Sequence, residues 1–540
     1  MNGQVASVPT HRLRGSLPKR RLVTAGLAVI FLLLLCHLLS LLSYIGFALN
    51  YPFQLDYGEG IVWQQARNIW AGEGYGPLQI FPAIVYHYPP VYHLTFEGLA
   101  ALTGLDEMIA GRLVSIASSA LTAVVVGMLT SATIGNAETV RTRILCGAFA
   151  GLLFLSCVPV RMWTPLMRVD MLSVLFGAAG LWFVLRALSR PHYIYVASAM
   201  FVLGLFVKQI SVAPPAAAFL VLLFTHRLLA VRGLAAALVM GLSGLAVEQW
   251  LNGSEFLRHI VGYNVNRFAL NLLWEILLPQ LAIHVAAIGL AVVGGMAAWS
   301  HVRHIIHDAG AMAVARRRVA DDPRATLTLI LIAFLGLKTV LLAAMAKSGA
   351  NYNYMVDWFS GIAIFAGVAI APYVAIALGG AMSTPRSLLV KLLFLALPGQ
   401  LIAMFALYDG QPATASIGER LRQKQPIVDM IAASDRPVIS DDMTFPIRAG
   451  RKVQWESAIT AELGAKGVYD QDGFARLVRA HCFGFFAIDG ILGQGVSLSR
   501  YQPVVIAAIR DAYPHTRDVG KYTLHFPAAP ADPALCASVR

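Results

Sequence analysis

At 540 residues, 57% hydrophobic and 13% charged, with a mean hydropathy of +0.65, the chain lies far from soluble usage, where charged residues are about a quarter of the total. This composition implies an integral membrane protein. The net charge of +13 does not point to nucleic acid, because Arg and Lys fall in short breaks between apolar runs, where they set topology rather than build one binding face.

Residues 1–21 read as a cytoplasmic basic tail carrying Arg12, Arg14, Lys19, Arg20 and Arg21. A spanning helix needs about 20 mostly apolar residues. Eleven such runs follow, near 22–48, 110–134, 144–160, 166–187, 193–209, 211–229, 233–250, 280–299, 326–346, 356–378 and 388–408. The first is too long for a signal-peptide core and reads as a retained anchor; no lipidation motif is present. The fifth and sixth are short and interrupted by Pro214-Pro215.

Positive charge alternates between the gaps. Arg141 and Arg143, Arg186 and Arg190, Arg227 and Arg232, Arg303 with Arg316, Arg317, Arg318 and Arg324, and Arg386 join the tail on one side. The other side carries only single cations: Arg67, Arg161, Arg168, Lys208, Arg258, Arg267 and Lys347. The positive-inside rule makes the N-terminus cytoplasmic, and an odd span count puts the C-terminus outside. A bacterial inner membrane is the expected location.

The first outer loop, 50–109, is long and patterned. Ile61, Val62, Ala66, Ile69 and Trp70 recur at helical spacing with Trp63 beside them, which predicts a short amphipathic helix lying in the interface. A second helix, through Leu94, Phe96, Leu99 and Leu102, follows Pro89-Pro90.

After the transmembrane unit 22–408 the composition turns polar. Residues 409–540 hold strand-like runs at 438–440, 483–488 and 522–526 alternating with helical ones at 417–433, 473–480 and 504–512. They predict a small α/β extracytoplasmic domain. The fold class is thus an α-helical polytopic membrane protein of about eleven spans with that domain appended. No internal repeat and no Walker or Rossmann glycine pattern occurs, which argues against ATP-driven transport.

Five cysteines without Cys-x-x-Cys or Cys/His spacing exclude a disulfide scaffold and suggest no zinc site. Cys36, Cys146 and Cys157 sit in apolar runs as small core residues. Cys482 and Cys536 fall in the polar C-terminal part and are free to pair if it faces an oxidising compartment.

Chemistry concentrates in the first outer loop, where Leu55-Asp56-Tyr57-Gly58-Glu59-Gly60 is followed by Tyr86-His87-Tyr88-Pro89-Pro90-Val91-Tyr92-His93. These words, with Arg112-Leu113, Arg168-Val169-Asp170 and Asn351-Tyr352-Asn353-Tyr354 at the heads of later spans, resemble the C-type (GT-C) integral-membrane glycosyltransferases. The branch most resembled contains protein mannosyltransferases and lipid A aminoarabinose transferase. Tyr88 departs from the Lys of the aminoarabinose version of His-x-Pro-Pro, which sets that branch's particular donor and acceptor apart.

The resemblance implies transfer of a sugar from a polyprenyl-phosphate donor to a glycan, lipid or protein acceptor on the outer face, with inversion. An acceptor hydroxyl is a poor nucleophile, and a positioned carboxylate that takes its proton is worth about 10²–10⁴ in rate. Asp56 is the candidate base, and Glu59 its orienting or metal-binding partner. The leaving phosphate needs cations, for which Lys208 with Gln209, then Arg168 and Arg267, are the candidates. Asp170 is expected to pair with Arg168. Asn351, Tyr352, Asn353 and Tyr354 offer hydrogen-bond donors and stacking faces to a sugar or a lipid head group, His87 and Tyr88 are further substrate-binding candidates, and His87 and His93 are candidates for assisting proton transfer. A divalent ion on Asp56, Glu59 and His87 is a further candidate. Lys338 lies too deep for a role to be assigned, and Glu248 and His284 are expected to satisfy other helices.

Two other classes fit a mildly basic polytopic chain. A lipid-linked sugar flippase or transporter would place ionisable residues at mid-membrane and show repeat symmetry. A polysaccharide polymerase or ligase with a diphosphate-linked donor would carry its large loop late in the chain. Asp441-Asp442 and Asp470 with Asp472 read as turn and cap acids, without the ligand spacing of a calcium loop.

Overall fold

Hydrocarbon offers a backbone amide no water to bond, so each apolar run closes its hydrogen bonds within itself as a helix. The computed structural model describes residues 17–136, 138–264, 266–379, 388–408 and 417–539. Arg12, Arg14 and Arg386, and the expected domain boundary at 408–409, lie outside the described residues or at their edge.

Among the described residues seven helices are long and apolar enough to span: Arg20–Asn50, Glu107–Ile134, Asp170–Ser189, Arg227–Asn252, Val285–His307, Pro323–Ala346 and Leu388–Tyr408. Tyr352–Ala369 and Ala371–Ala377, bent by 42° at Ile370, add an eighth. The other three expected spans are shorter helices, Val140–Ser156, Tyr193–Val207 and Ala213–Thr225. Eight elements thus pass on length and composition, and the three shorter helices fall below that length. The last of these helices has 13 residues, and at about 1.5 Å per residue it falls short of the roughly 30 Å hydrocarbon core. Pro214-Pro215 open that helix, where no N–H is required. The break 208–212 before it leaves Lys208 at the end of the preceding helix in extended conformation.

Small residues let the bundle close. A Cβ on Gly147 would sit 2.7 Å from the Gly127 carbonyl oxygen, and one on Gly151 the same distance from that of Ala123, where Glu107–Ile134 crosses Val140–Ser156. Deep charge is paired: Lys338 Nζ lies 2.7 Å from Asp357. His284 Nε2 meets the Val158 amide at 3.2 Å. Glu248 departs from expectation, because it accepts from Asn252 of its own helix at 2.9 Å.

The first outer loop holds two helices, Gly58–Trp70 and Val91–Thr103. The first was expected to lie in the membrane interface. It is instead packed inside protein, with Ile61, Val62, Trp63 and Ala66 buried against Met443, Ile447 and Val453 of the C-terminal region. A Cβ on Gly60 would meet Met443 at 2.7 Å, so the glycine permits this close seat. Apolar surface contributed by a segment some 380 residues away replaces lipid, which a local pattern does not reveal.

The C-terminal region carries a four-stranded sheet in the order β1-β2-β4-β3, with β1 Ile439–Ser440, β2 Phe486–Asp489, β3 His515–Val519 and β4 Tyr522–Phe526. β1 and β2 are parallel; β4 runs antiparallel to both β2 and β3. β3 is exposed along most of its length and has no alternating apolar face, so it left no strand signal. Gly520, at φ 60°, opens the two-residue turn into β4. Cys482 and Cys536 form a disulfide with Cα atoms 5.2 Å apart.

Candidate functional site

Glu59 anchors the site. It stands in the first turn of Gly58–Trp70 and is fully buried. Its two oxygens accept from Arg112 Nε and Nη2 at 3.0 Å each, from the Leu55 and Met167 amides at 2.6 and 2.8 Å, and from the Asp56 amide at 3.4 Å. Arg112, equally buried, also donates to the carbonyls of Ala48, Tyr51 and Phe53. Burial alone would raise the Glu59 carboxyl, but the fork of Arg112 and the amide bonds outweigh it and hold the group below its ordinary range. This geometry commits the Glu59 oxygens to the protein: the residue ties the first helix, the first loop and the segment before Asp170 together and holds the Asp56 amide.

Asp56 is placed differently. Its side chain is 27% exposed, and its Oδ2 accepts from the Gly58 amide at 3.1 Å and from Arg168 Nη1 at 2.9 Å. Gly58 is required here, because a Cβ at that position would fall 1.3 Å from Arg168 Nη1. Asp170 was expected to pair with Arg168; it pairs with Lys208 at 2.5 Å and accepts from Asn353 at 3.0 Å. Lys208 Nζ lies 4.9 Å from the centre of the Tyr354 ring. Arg168, Lys208 and Tyr354 are all within electrostatic reach of the Tyr88 phenol. Gln209 Nε2 donates to the His87 carbonyl at 2.8 Å. Burial, with the positive fields of His259 and Arg168, pushes His87 down to about 4, so its ring is neutral near pH 7.

Residues of the C-terminal region border the site. Tyr57, next to Asp56, shares a 3.1 Å hydrogen bond with Ser457, and the Arg500 guanidinium lies 4.2 Å from the Tyr57 ring centre. Arg500 pairs with buried Asp441 at 3.1 Å, which also accepts from Tyr501. Glu456 is 93% buried, and burial, partly offset by the charge of Arg168, pushes it up to about 8.

Six buried polar atoms around this cluster have no hydrogen-bond partner: His87 Nδ1, Arg168 Nε, Asp170 Oδ2, Gln209 Oε1, Asn353 Oδ1 and Glu456 Oε2. Buried polar groups are nearly always paired, and each unpaired one costs about 1–3 kcal/mol. The cluster thus holds polar groups that the protein itself does not satisfy. Two surface cavities of about 700 and 730 Å³ lie elsewhere, one along 79–81 and 473–481 and one beside the Cys482–Cys536 disulfide, and neither contains this cluster.

Of the residues singled out from sequence, Asp56, Glu59, His87, Tyr88, Arg168, Lys208, Gln209 and Asn353 come together. Three do not. Arg267 is exposed and its amide faces Glu462 at 3.4 Å, exposed Asn351 accepts from the adjacent Tyr352 amide, and Tyr352 packs on the membrane core. Among the described residues no three His, Cys, Asp or Glu side chains converge as a metal site. Asp56, Glu59 and His87 do not fit one: Glu59 has no free oxygen, and Arg168 occupies Asp56. The sequence reading missed Glu456 and Arg500, quoted Tyr57 only as part of the acidic loop word, and took Asp441 for a turn or cap acid, whereas it is buried against Arg500 and Tyr501. Arg112 was marked only by its position at the head of a span.

No protein-family model matches the chain, and no curated relative does. Among solved structures, ArnT from Cupriavidus metallidurans in the apo state aligns at a TM-score of 0.57 and 15% identity, covering 93% of this chain and 98% of that one. The same ArnT bound to undecaprenyl phosphate aligns at 0.55 and 14% identity, over 93% and 99%. The chain therefore shares the fold of ArnT.

Proposed function

We propose that this protein is a glycosyltransferase that moves a sugar from a polyprenyl-phosphate donor to a glycan, lipid or protein acceptor at the outer face of the membrane. The observation that carries the reading is the partly exposed Asp56 carboxylate held beside a cationic cluster, Arg168 and Lys208, among unpaired polar atoms. The likeness in fold to an ArnT structure bound to undecaprenyl phosphate supports the donor class.

The acceptor oxygen attacks the anomeric carbon while its proton passes to Asp56. The bond from that carbon to the phosphate oxygen breaks, and its electron pair leaves on the phosphate. Arg168 and Lys208 neutralise that charge. A single displacement inverts the anomeric centre. In the unliganded site Arg168 is bound to Asp56; a donor phosphate competes for the guanidinium, and its capture frees the carboxylate to act as base. The N-terminus is assigned to the cytoplasm and the C-terminal domain to the outside of a bacterial inner membrane, and the Cys482–Cys536 disulfide accords with an oxidising compartment.

The test is transfer of labelled sugar from a panel of polyprenyl-phosphate sugars by the protein in lipid nanodiscs. Asp56→Asn is expected to lower transfer at least about 100-fold, as loss of a general base does. Full activity in the variant would remove Asp56 from the chemistry, and binding without turnover on any donor would favour a transporter or a diphosphate-linked donor.

A further inference from the structure

We propose that Glu456, carried by the C-terminal domain, is a donor-binding residue: as the neutral acid it donates a hydrogen bond to a phosphate oxygen of the polyprenyl-phosphate sugar, beside the Arg168 guanidinium. This rests on the reading of the site given above and adds a contact from the other domain.

Glu456 immediately precedes the helix Ser457–Ala465 but does not cap it, since its side chain accepts none of the first-turn amides. It makes no ion pair with Arg168, whose Nη1 goes to Asp56. Its Oε2 is buried and unpartnered, as is Arg168 Nε. Within electrostatic reach of each other stand two unsatisfied groups, a guanidinium N–H that lacks an acceptor and a carboxyl oxygen that, when protonated, lacks one as well. A phosphate oxygen satisfies both. The neighbouring residue Ser457 holds Tyr57 of the first loop, so the backbone that carries Glu456 is tied to the loop of Asp56, and the side chain is buried there.

The charged and titratable groups within electrostatic reach of Glu456 include Arg168, from the segment before Asp170, and the Tyr57 phenol, from the first loop; Arg500 lies over that phenol and pairs with Asp441. Burial raises the acid to about 8, so near neutral pH it carries its proton, and an ionised carboxylate at this place would repel the phosphate. During transfer the proton stays shared between Glu456 and the phosphate as the bond to the anomeric carbon breaks; the acceptor proton still goes to Asp56.

The experiment measures binding of a polyprenyl monophosphate to the full chain in nanodiscs at about pH 6.5 and about pH 9.5, together with transfer from sugar-loaded donors. Wild type is expected to bind at least about tenfold more weakly at the higher pH, as ionisation across a shift of this size implies. Glu456→Gln keeps an N–H donor but cannot titrate, and is expected to bind well with that pH dependence removed. Glu456→Ala, checked for folding by its thermal midpoint, is expected to bind poorly at both values. The same pH dependence in wild type and Glu456→Gln, or wild-type binding by Glu456→Ala, overturns the proposal. If the Glu456 variants bind as expected while no donor is turned over, the phosphate contact stands and the transferase reading falls. If transfer proceeds and the variants match wild type, the reverse holds.

Discussion

At the residue scale, two carboxylates three positions apart in one loop take opposite parts because of what surrounds them. Glu59 is enclosed by Arg112 and backbone amides, whereas Asp56 keeps an open side and a single cationic partner. Sequence marked both as acidic and near the membrane; only the fold says which one has free oxygens. Gly58 shows how far this depends on space. A methyl group there would take the position of the Arg168 guanidinium, the mobile end of a long side chain. Gly58→Ala is therefore expected to leave thermal stability within about 1 kcal/mol of wild type, since Ala suits the start of a helix better than Gly. Polyprenyl-phosphate affinity and transfer should fall about tenfold or more, the worth of one charge-assisted hydrogen bond. Binding and melting curves on the same preparation check this, and unchanged transfer would mean that Arg168 does not need its seat beside Asp56.

At the element scale, the long apolar runs fold as helices, and 417–433 matches the helix Ile417–Ala433. The misreadings have physical causes. Pro214-Pro215 read as an interruption but form a helix start, leaving a break that turns Lys208 and Gln209 toward Asp170 and His87. The amphipathic stripe of Gly58–Trp70 fitted a lipid interface, yet its partner is the C-terminal domain. Packing between spans is set by glycines. Gly147→Ala is expected to lower the thermal midpoint, costing about 1–3 kcal/mol as an overpacked contact against the Gly127 backbone. Gly241→Ala, with nothing within 4 Å of the added atom, is the control and should be neutral or mildly stabilising. Equal midpoints for both variants would show that the crossing of Glu107–Ile134 and Val140–Ser156 is loose.

At the scale of the whole molecule, the membrane unit and the C-terminal domain share one face. Arg448 of the domain pairs with Asp106 at 2.5 Å, at the start of Glu107–Ile134, and Tyr57 with Ser457 closes the contact above Asp56. At the other end of the bundle Arg324 donates to the Thr133 carbonyl and Arg20 to that of Ala377, so basic residues gather away from the site. The orientation this implies is testable with single cysteines in intact cells. Lys466→Cys, exposed on the domain, should react with a membrane-impermeant maleimide, and His307→Cys, at the basic end, should not; the opposite pattern would invert the topology. Sequence by itself determined that the chain is a polytopic membrane protein, which loop holds the acids, which gaps hold the cations and where the helices of the polar domain lie. These follow from composition and from periods of a few residues, which local physics enforces. Tertiary structure decided that Asp170 pairs with Lys208 and not Arg168, that Glu59 is spent on the fold, and that Glu456 approaches a site built some 400 residues earlier. Such pairings depend on distance and burial between segments remote in the chain, and no local pattern encodes them.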